Sequence, residues 1–259
     1  MGHPWTDRSR LREVQYRTDT NLVARQSLYR FQRPRIALPS LVFDLADLTG
    51  DEAVVDIGCG NGAYLSELIR RGHVGPLLGM DLSAGMLAAA RSHAPAAFLS
   101  AGDVAALPLR DGISGFTLAA HMLYHVPQRA AAVSELRRIT RPGAPVAVVL
   151  NGDGHLRELR DLITAALGDL TGRRPPYPDR LRLDEGERLL AAEFSTVVRH
   201  EFPSELVIPG PEPVLEYVRS MSLVQEMPDS AAVTAAVARL IPAGEPYRIR
   251  TRTGCLICH

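Results

Sequence analysis

The stretch Val54-Val55-Asp56-Ile57-Gly58-Cys59-Gly60-Asn61-Gly62 limits this chain more than any other. An apolar run broken by one acid enters three glycines spaced two apart. Tyr64, Leu65, Leu68 and Ile69 then recur at helical spacing, and Gly72 stops the run. The pattern predicts a buried strand, a tight turn and a helix. Glycine suits a backbone that turns to positive φ or that a ligand must approach with no Cβ in the way. The turn also presents the free N–H groups of a helix N-terminus, which stabilise an anionic or polar ligand group. A glycine-rich turn with no ligand is the plain structural alternative.

Alternation continues from there. Apolar strands are expected at 53–57, 76–81, 97–103, 116–120 and 145–150. Helices are expected at 62–71, from the cap Ser83 to Pro95, and from Pro127 through Val133, Leu136 and Ile139 to the stop at Pro142-Gly143. Continuous apolar strands separated by helices argue for a parallel sheet covered on both faces, with ligands at the carboxyl ends of its strands. After residue 151 the pattern changes. Helices are expected at 154–167, 184–193, 211–223 and 229–240, strands at 195–206 and 247–258, and a Gly-Arg-Arg-Pro-Pro-Tyr-Pro loop at 172–178. Before the first strand, residues 1–20 read as a polar tail or loop. Residues 21–33 read as a helix ended by Pro34, and 39–49 as a helix ended by Gly50.

Composition removes several function classes. The 259 residues allow one large domain or a domain with a cap. Lys+Arg and Asp+Glu both number 29, so nothing attracts the whole chain to nucleic acid. Every basic residue of that count is arginine, which excludes lysine Schiff-base or lysine general-base chemistry. No apolar run is long enough to span a bilayer. The N-terminus lacks an apolar signal core, and three cysteines suit a reducing compartment, so the expected location is the cytoplasm.

Two acids downstream give the turn a chemistry. Asp81 closes the second strand, where its carboxylate can accept from both hydroxyls of a ribose. Gly102-Asp103-Val104 closes the third. The glycine spacing is G-x-G-x-G, whereas a dinucleotide site of dehydrogenases wants G-x-G-x-x-G. Taken in this order and spacing, Asp56, the Gly58-to-Gly62 turn, Asp81 and Asp103 resemble the class I S-adenosylmethionine (SAM) methyltransferases of the small-molecule type. The resemblance covers about residues 50–150.

That resemblance implies a Rossmann-like α/β fold: a doubly wound, mostly parallel seven-stranded sheet with helices on both faces and an added helical cap. It implies SAM as cofactor, held by Asp56, Gly58, Cys59, Gly60, Asn61, Gly62, Asp81, Leu82, Met86, Gly102, Asp103, Val104 and Ala120. In similar enzymes an acid at the Asp103 position faces the adenine amino group. It also implies a single domain, with residues 1–50 as a helical lid, 51–153 as the cofactor core, and 154–259 as a half carrying cap helices and the last strands; within the lid, residues 15–33 are expected to close over the cofactor and to bring Tyr16, Arg25 and Tyr29 to the bound ligand.

The loop after the fourth strand holds His121 and His125. In the family it lies between methyl donor and acceptor, so both are catalytic candidates. One reading makes a histidine the base that takes a proton from the acceptor; the other makes both rings packing groups. A zinc pair is rejected, because no third ligand and no H-E-x-x-H accompany them. Cys255-Leu256-Ile257-Cys258-His259 matches a haem-attachment string but falls in an expected core strand, so it is read as buried structural cysteine. The expected partner is a small-molecule acceptor methylated on O or N, with no membrane. The alternatives are an RNA methyltransferase, against which neutral charge argues, and a SAM-binding protein that transfers nothing. The acceptor's identity and the oligomeric state are not legible.

Overall fold

The computed structural model describes residues 6–171, 181–242 and 244–259. Eight strands form one sheet: β1 (Gln32–Arg33), β2 (Val54–Ile57), β3 (Leu77–Asp81), β4 (Phe98–Ala101), β5 (Phe116–Ala120), β6 (Val146–Asn151), β7 (Val197–Ile208) and β8 (Tyr247–Cys258). Their order is β1-β7-β8-β6-β5-β2-β3-β4. The five strands from β4 to β6 run parallel. β8, β7 and β1 add antiparallel. The Rossmann-like, mostly parallel architecture is the expected one.

The strand count is eight where seven were expected. The extra strand is two residues long, Gln32 and Arg33 pairing with Leu206 and Glu205, and two residues carry no readable period. It also corrects the helix expected at 21–33. That segment is α2 (Thr20–Ser27), then a 3-10 turn over Leu28–Phe31, then β1. The polar tail expected at 1–20 is helical in part, as α1 (Arg8–Arg10) and a π-turn over Leu11–Gln15, with Leu11 and Gln15 buried. The expected 172–178 loop lies outside the described residues.

Why the sheet forms is plain from β6, where Val146, Ala147, Val148, Val149 and Leu150 are all fully buried. A strand apolar on both faces must be covered on both. One face buries Val148 and Leu150 with Val133, Leu136 and Ile139 of α6 (Arg129–Ile139), and with Leu183 and Leu190 of α8 (Leu183–Leu190). The other buries Ala147 and Val149 with Val42 and Phe43 of α3 (Leu38–Ala46) and Leu65 and Leu68 of α4 (Ala63–Arg70). Helix α8 therefore covers the sheet, although the 154–193 segment reads as cap in sequence.

The cap has its own core. β7 and β8 pair over twelve residues, from Val197↔Cys258 to Ile208↔Tyr247, while β6 reaches along β8 only to Thr253. The projecting part of this ribbon has to bury Leu206, Ile208 and Ile249 elsewhere. They pack with α7 (Arg157–Thr171), α9 (Glu212–Arg219) and α11 (Ser230–Leu240), and with Leu28 from the N-terminal segment. The cap thus stands beside the carboxyl ends of β2, β5 and β6.

Candidate functional site

Connections leave β2 toward β3 and β4 on one side, while β5 and β6 lie on the other. Ligands of such sheets bind outside the carboxyl ends at this reversal. A cavity of about 640 Å³ occupies that place, within the usual range for small-molecule sites.

The turn after β2 forms its floor. Gly58 and Gly60 have φ of 72° and 55°, which a side chain would strain, and Met122 lies 2.7 Å from where a Cβ on Gly58 would stand. The N–H groups of Gly58 and Cys59 donate to the Met80 carbonyl at 2.7 and 3.0 Å, pinning the turn to β3. Asp81 at the end of β3 accepts from Gly60 N–H at 2.9 Å on one oxygen and from Ser83 N–H at 2.8 Å on the other. Each oxygen keeps a lone pair for a hydroxyl donor. Burial pushes the Asp81 carboxyl up, and the amides of Ser83, Gly60 and Leu82 oppose that shift.

Asp56 is the unusual group. Its side chain is 1% exposed, lines the cavity, and has no hydrogen-bond partner on either oxygen among the described residues. Burial, with Asp81 adding to it, pushes this carboxyl up to about 8. An orphaned buried acid beside a glycine turn is a place where a cationic ligand group would be stabilised. Burial raises the Cys59 thiol well above its ordinary value, so Cys59 is not a reactive thiolate.

The sequence-derived residues mostly converge. Asp56, Gly58, Cys59, Gly60, Asn61, Asp81, Leu82, Met86, Gly102, Asp103, Val104, Ala120, His121 and His125 line the one cavity. Gly62 does not. It caps α4 with φ of 81°, and a Cβ there would stand 3.1 Å from Ala90 on α5 (Ala84–His93), so its smallness serves helix packing. Asp103 reaches the cavity with one oxygen accepting from Ala105 N–H at 3.0 Å and the other 2.6 Å from the Arg8 guanidinium.

The two histidines go to different neighbours. His121 follows β5 directly, at φ 54°, with its N–H donating to the Val149 carbonyl at 2.9 Å. Burial pushes its ring down to about 4, so it is neutral across the physiological range. His125 ends a 3-10 turn, Leu123–His125, and its Nε2 lies 3.0 Å from the Tyr16 hydroxyl. The Tyr124 ring packs edge-on against it at 4.5 Å.

Tyr16, Arg25 and Tyr29 of the expected 15–33 lid line the cavity from the N-terminal segment, while Gly85 and His155 escape sequence reasoning. Ser83 Oγ donates to the Tyr16 carbonyl at 2.7 Å. A Cβ on Gly85 would stand 1.9 Å from the Arg17 carbonyl oxygen, so Gly85 is the notch in which this strap sits. At the cap end, Tyr29 Oη lies 3.0 Å from His155 Nε2, and Arg252 N–H donates to His155 Nδ1 at 3.0 Å. Arg25 anchors the same segment by donating to the Ser220 carbonyl at 2.7 Å. For His155 the local hint is the polar Asn151-Gly152-Asp153-Gly154-His155 run at the carboxyl end of β6.

Comparison with known proteins agrees with this geometry. A family model described as a methyltransferase domain matches residues 55–148. An uncharacterized methyltransferase of Mycobacterium tuberculosis is 28% identical over 187 residues, covering 71% of each chain. The trans-aconitate 2-methyltransferase of Methylobacterium nodulans is 32% identical over 151 residues, covering 57% of this chain and 55% of that protein. Other curated relatives are matched over between 31% and 42% of their own length. Among solved structures, a methyltransferase-like protein from Bacillus halodurans superposes with a TM-score of 0.59 at 16% identity, covering 86% of this chain and 98% of that one.

Proposed function

We propose that this chain, whose residues 55–148 match a family model described as a methyltransferase domain, is a class I enzyme that transfers a methyl group from SAM to an oxygen or nitrogen of a small-molecule acceptor. One observation carries the reading. The glycine turn with Asp56 and Asp81 and the tyrosine–histidine lining of the cap belong to one continuous cavity, so two ligands can meet there. The trans-aconitate enzyme among the relatives acts on a small acid, which supports an acceptor of that size. The lid, core and C-terminal half keep the bounds 1–50, 51–153 and 154–259 in this scheme. No helix among the described residues is long and apolar enough to cross a membrane, and the proposed place of action is the cytoplasm.

The residues divide the work as follows. Asp81, already ordered by Gly60 and Ser83, would accept from the ribose hydroxyls, each bond contributing roughly 1.5–3 kcal/mol. Gly102, Asp103, Val104, Leu82 and Met86 would line the adenine. Asp56 would meet the α-ammonium of the methionine part, regaining a charge partner it otherwise lacks. Bound SAM supplies a methyl group already activated on a sulfonium. What the chain adds is position, holding the acceptor atom about 3–3.5 Å from that methyl group. The Met122–His125 turn and the strap exclude water from that point. His121 presents a neutral imidazole there, which does not repel a nearby cation. It acts as a base only for an acceptor proton that is acidic enough.

Calorimetry with SAM, S-adenosylhomocysteine and NAD, followed by transfer from methyl-labelled SAM to candidate acceptors, tests the proposal. Binding of the first two with label transfer is expected. NAD binding without SAM binding would overturn it.

A further inference from the structure

We propose that the acceptor presents a carboxylate, held by the Tyr29 hydroxyl with His155 as the residue that positions it. This deepens the methyl-transfer reading and rests on it.

The argument starts from a backbone amide. Arg252 N–H donates to His155 Nδ1 at 3.0 Å. A ring nitrogen that accepts carries no hydrogen, so the neutral imidazole bears its proton on Nε2. Nε2 lies 3.0 Å from Tyr29 Oη, so the imidazole donates and the phenol oxygen accepts. The phenol must then direct its own hydrogen elsewhere, and no second partner for it exists among the described residues. Both side chains line the cavity, so that hydrogen is available to a ligand. Burial, with Tyr217 and Tyr124 adding to it, holds the Tyr29 phenol well above its usual value. Tyr29 is therefore a fixed hydrogen-bond donor and not a phenolate base.

Charge points the same way. The acids that line the cavity among the described residues are Asp56, Asp81 and Asp103. All belong to β2, β3 or the segment just after β4, at the cofactor end. Among the described residues, the lining around Tyr29 and His155 carries no acid, and Arg35 contributes positive charge. An amine acceptor would find no counter-charge at this end, whereas an anionic oxygen finds a donor and a positive field.

The chemistry balances without a base. A carboxylate oxygen lone pair forms the new O–CH₃ bond, the S–CH₃ bond breaks, and its electron pair stays on sulfur. The sulfonium becomes a neutral thioether, the carboxylate becomes a neutral methyl ester, and no proton has to leave. A phenol or an ammonium acceptor must lose a proton, and His121, pushed down to about 4 by burial, is a weak acceptor for it.

The test uses the full-length enzyme with SAM tritiated on its methyl group. One set of probes is carboxylates: trans-aconitate, benzoate and a malonyl thioester. The other set is catechol, tyramine and histamine. Alkali releases tritiated methanol from a methyl ester but leaves an ether or N-methyl product intact. Alkali-labile label on a carboxylate is expected, with Tyr29→Phe raising the KM of the best carboxylate at least tenfold while S-adenosylhomocysteine affinity stays within twofold. His155→Gln should raise the same KM with kcat less affected, because it frees the phenol to turn. Alkali-stable label on a phenol or amine would overturn the carboxylate assignment while leaving methyl transfer intact. A Tyr29→Phe enzyme with an unchanged KM for its carboxylate would remove Tyr29. No transfer to either set by an enzyme that binds SAM would overturn this inference together with the reading beneath it.

Discussion

Replacing Gly85 with alanine should release the N-terminal strap without unfolding the protein. The Cβ would stand 1.9 Å from the Arg17 carbonyl oxygen, 2.7 Å from its carbonyl carbon and 3.4 Å from Thr18 N. Those atoms are backbone, so no rotamer change relieves the clash. Roughly 1.5 Å of movement separates the closest of them from ordinary van der Waals contact. A shift of that size breaks the 2.7 Å bond from Ser83 Oγ to the Tyr16 carbonyl and pulls the Tyr16 hydroxyl from His125, 3.0 Å away. Two neutral hydrogen bonds are worth roughly 0.5–1.5 kcal/mol each. The Arg8–Asp103 pair is half exposed on the arginine side and adds little. Inside α5 alanine is favoured over glycine by about 0.5–1 kcal/mol, which offsets part of the loss in overall stability. If the strap covers bound cofactor, losing about 1–3 kcal/mol of closure should speed S-adenosylhomocysteine release roughly 5- to 150-fold. Stopped-flow displacement measures that rate, and hydrogen exchange measures protection over residues 8–18. The reasoning is refuted by a Gly85→Ala protein with wild-type protection over 8–18 and a wild-type release rate.

Other outcomes are equally specific. Cofactor binding near pH 7 should release close to one proton, about the full charge of Asp56, as calorimetry in buffers of different ionisation enthalpy will read; Asp56→Asn should abolish the release. Because the folded Asp56 carboxyl is pushed up to about 8 from its ordinary value, the unliganded protein should lose stability through this group as pH rises from about 4 to about 8, since the unfolded chain gives up the proton first. Thermal melts across that range, wild type against Asp56→Asn, check the sign. Asp81→Ala should weaken SAM roughly 10- to 100-fold, and an unchanged dissociation constant in a folded variant would remove Asp81 from the ribose. If His121 acts as a base, the acid limb of the rate should fall near pH 4, well below the ordinary histidine value. Its replacement by asparagine should then cost roughly 10²- to 10⁴-fold in rate. Turnover unaltered at every pH in that variant would leave position as the source of rate.

The central sheet and the cofactor floor were legible because their causes are local. Val54 to Ile57 is apolar enough to require burial, and the Gly58 and Gly60 conformations follow from what only glycine adopts at no cost. Asp81 closes β3 two residues before the helix cap, and Ser83 caps α5 as its sequence suggests. Gly62 shows the limit even there. Its spacing matches a ligand turn, but the approach of α5 through Ala90 decides its role. The N-terminal segment was legible as a lid from residue 15 onward, but residues 8–14 were not, since they have no apolar period and become helical only where Leu11 and the neighbouring Gln15 find a surface to bury against. Tyr29 and His155 are 126 residues apart, and Tyr16 and His125 are 109 apart. Neither pair leaves a trace in local pattern, because a hydrogen bond between distant segments depends on how the cap and sheet pack. Burial itself, which turns Asp56 into a carboxyl near 8 and His121 into a ring near 4, is a property of the packed interior. Residue type and spacing determined the layers and the floor of the site; desolvation and long-range contact decided which of its groups carry charge and which face a ligand.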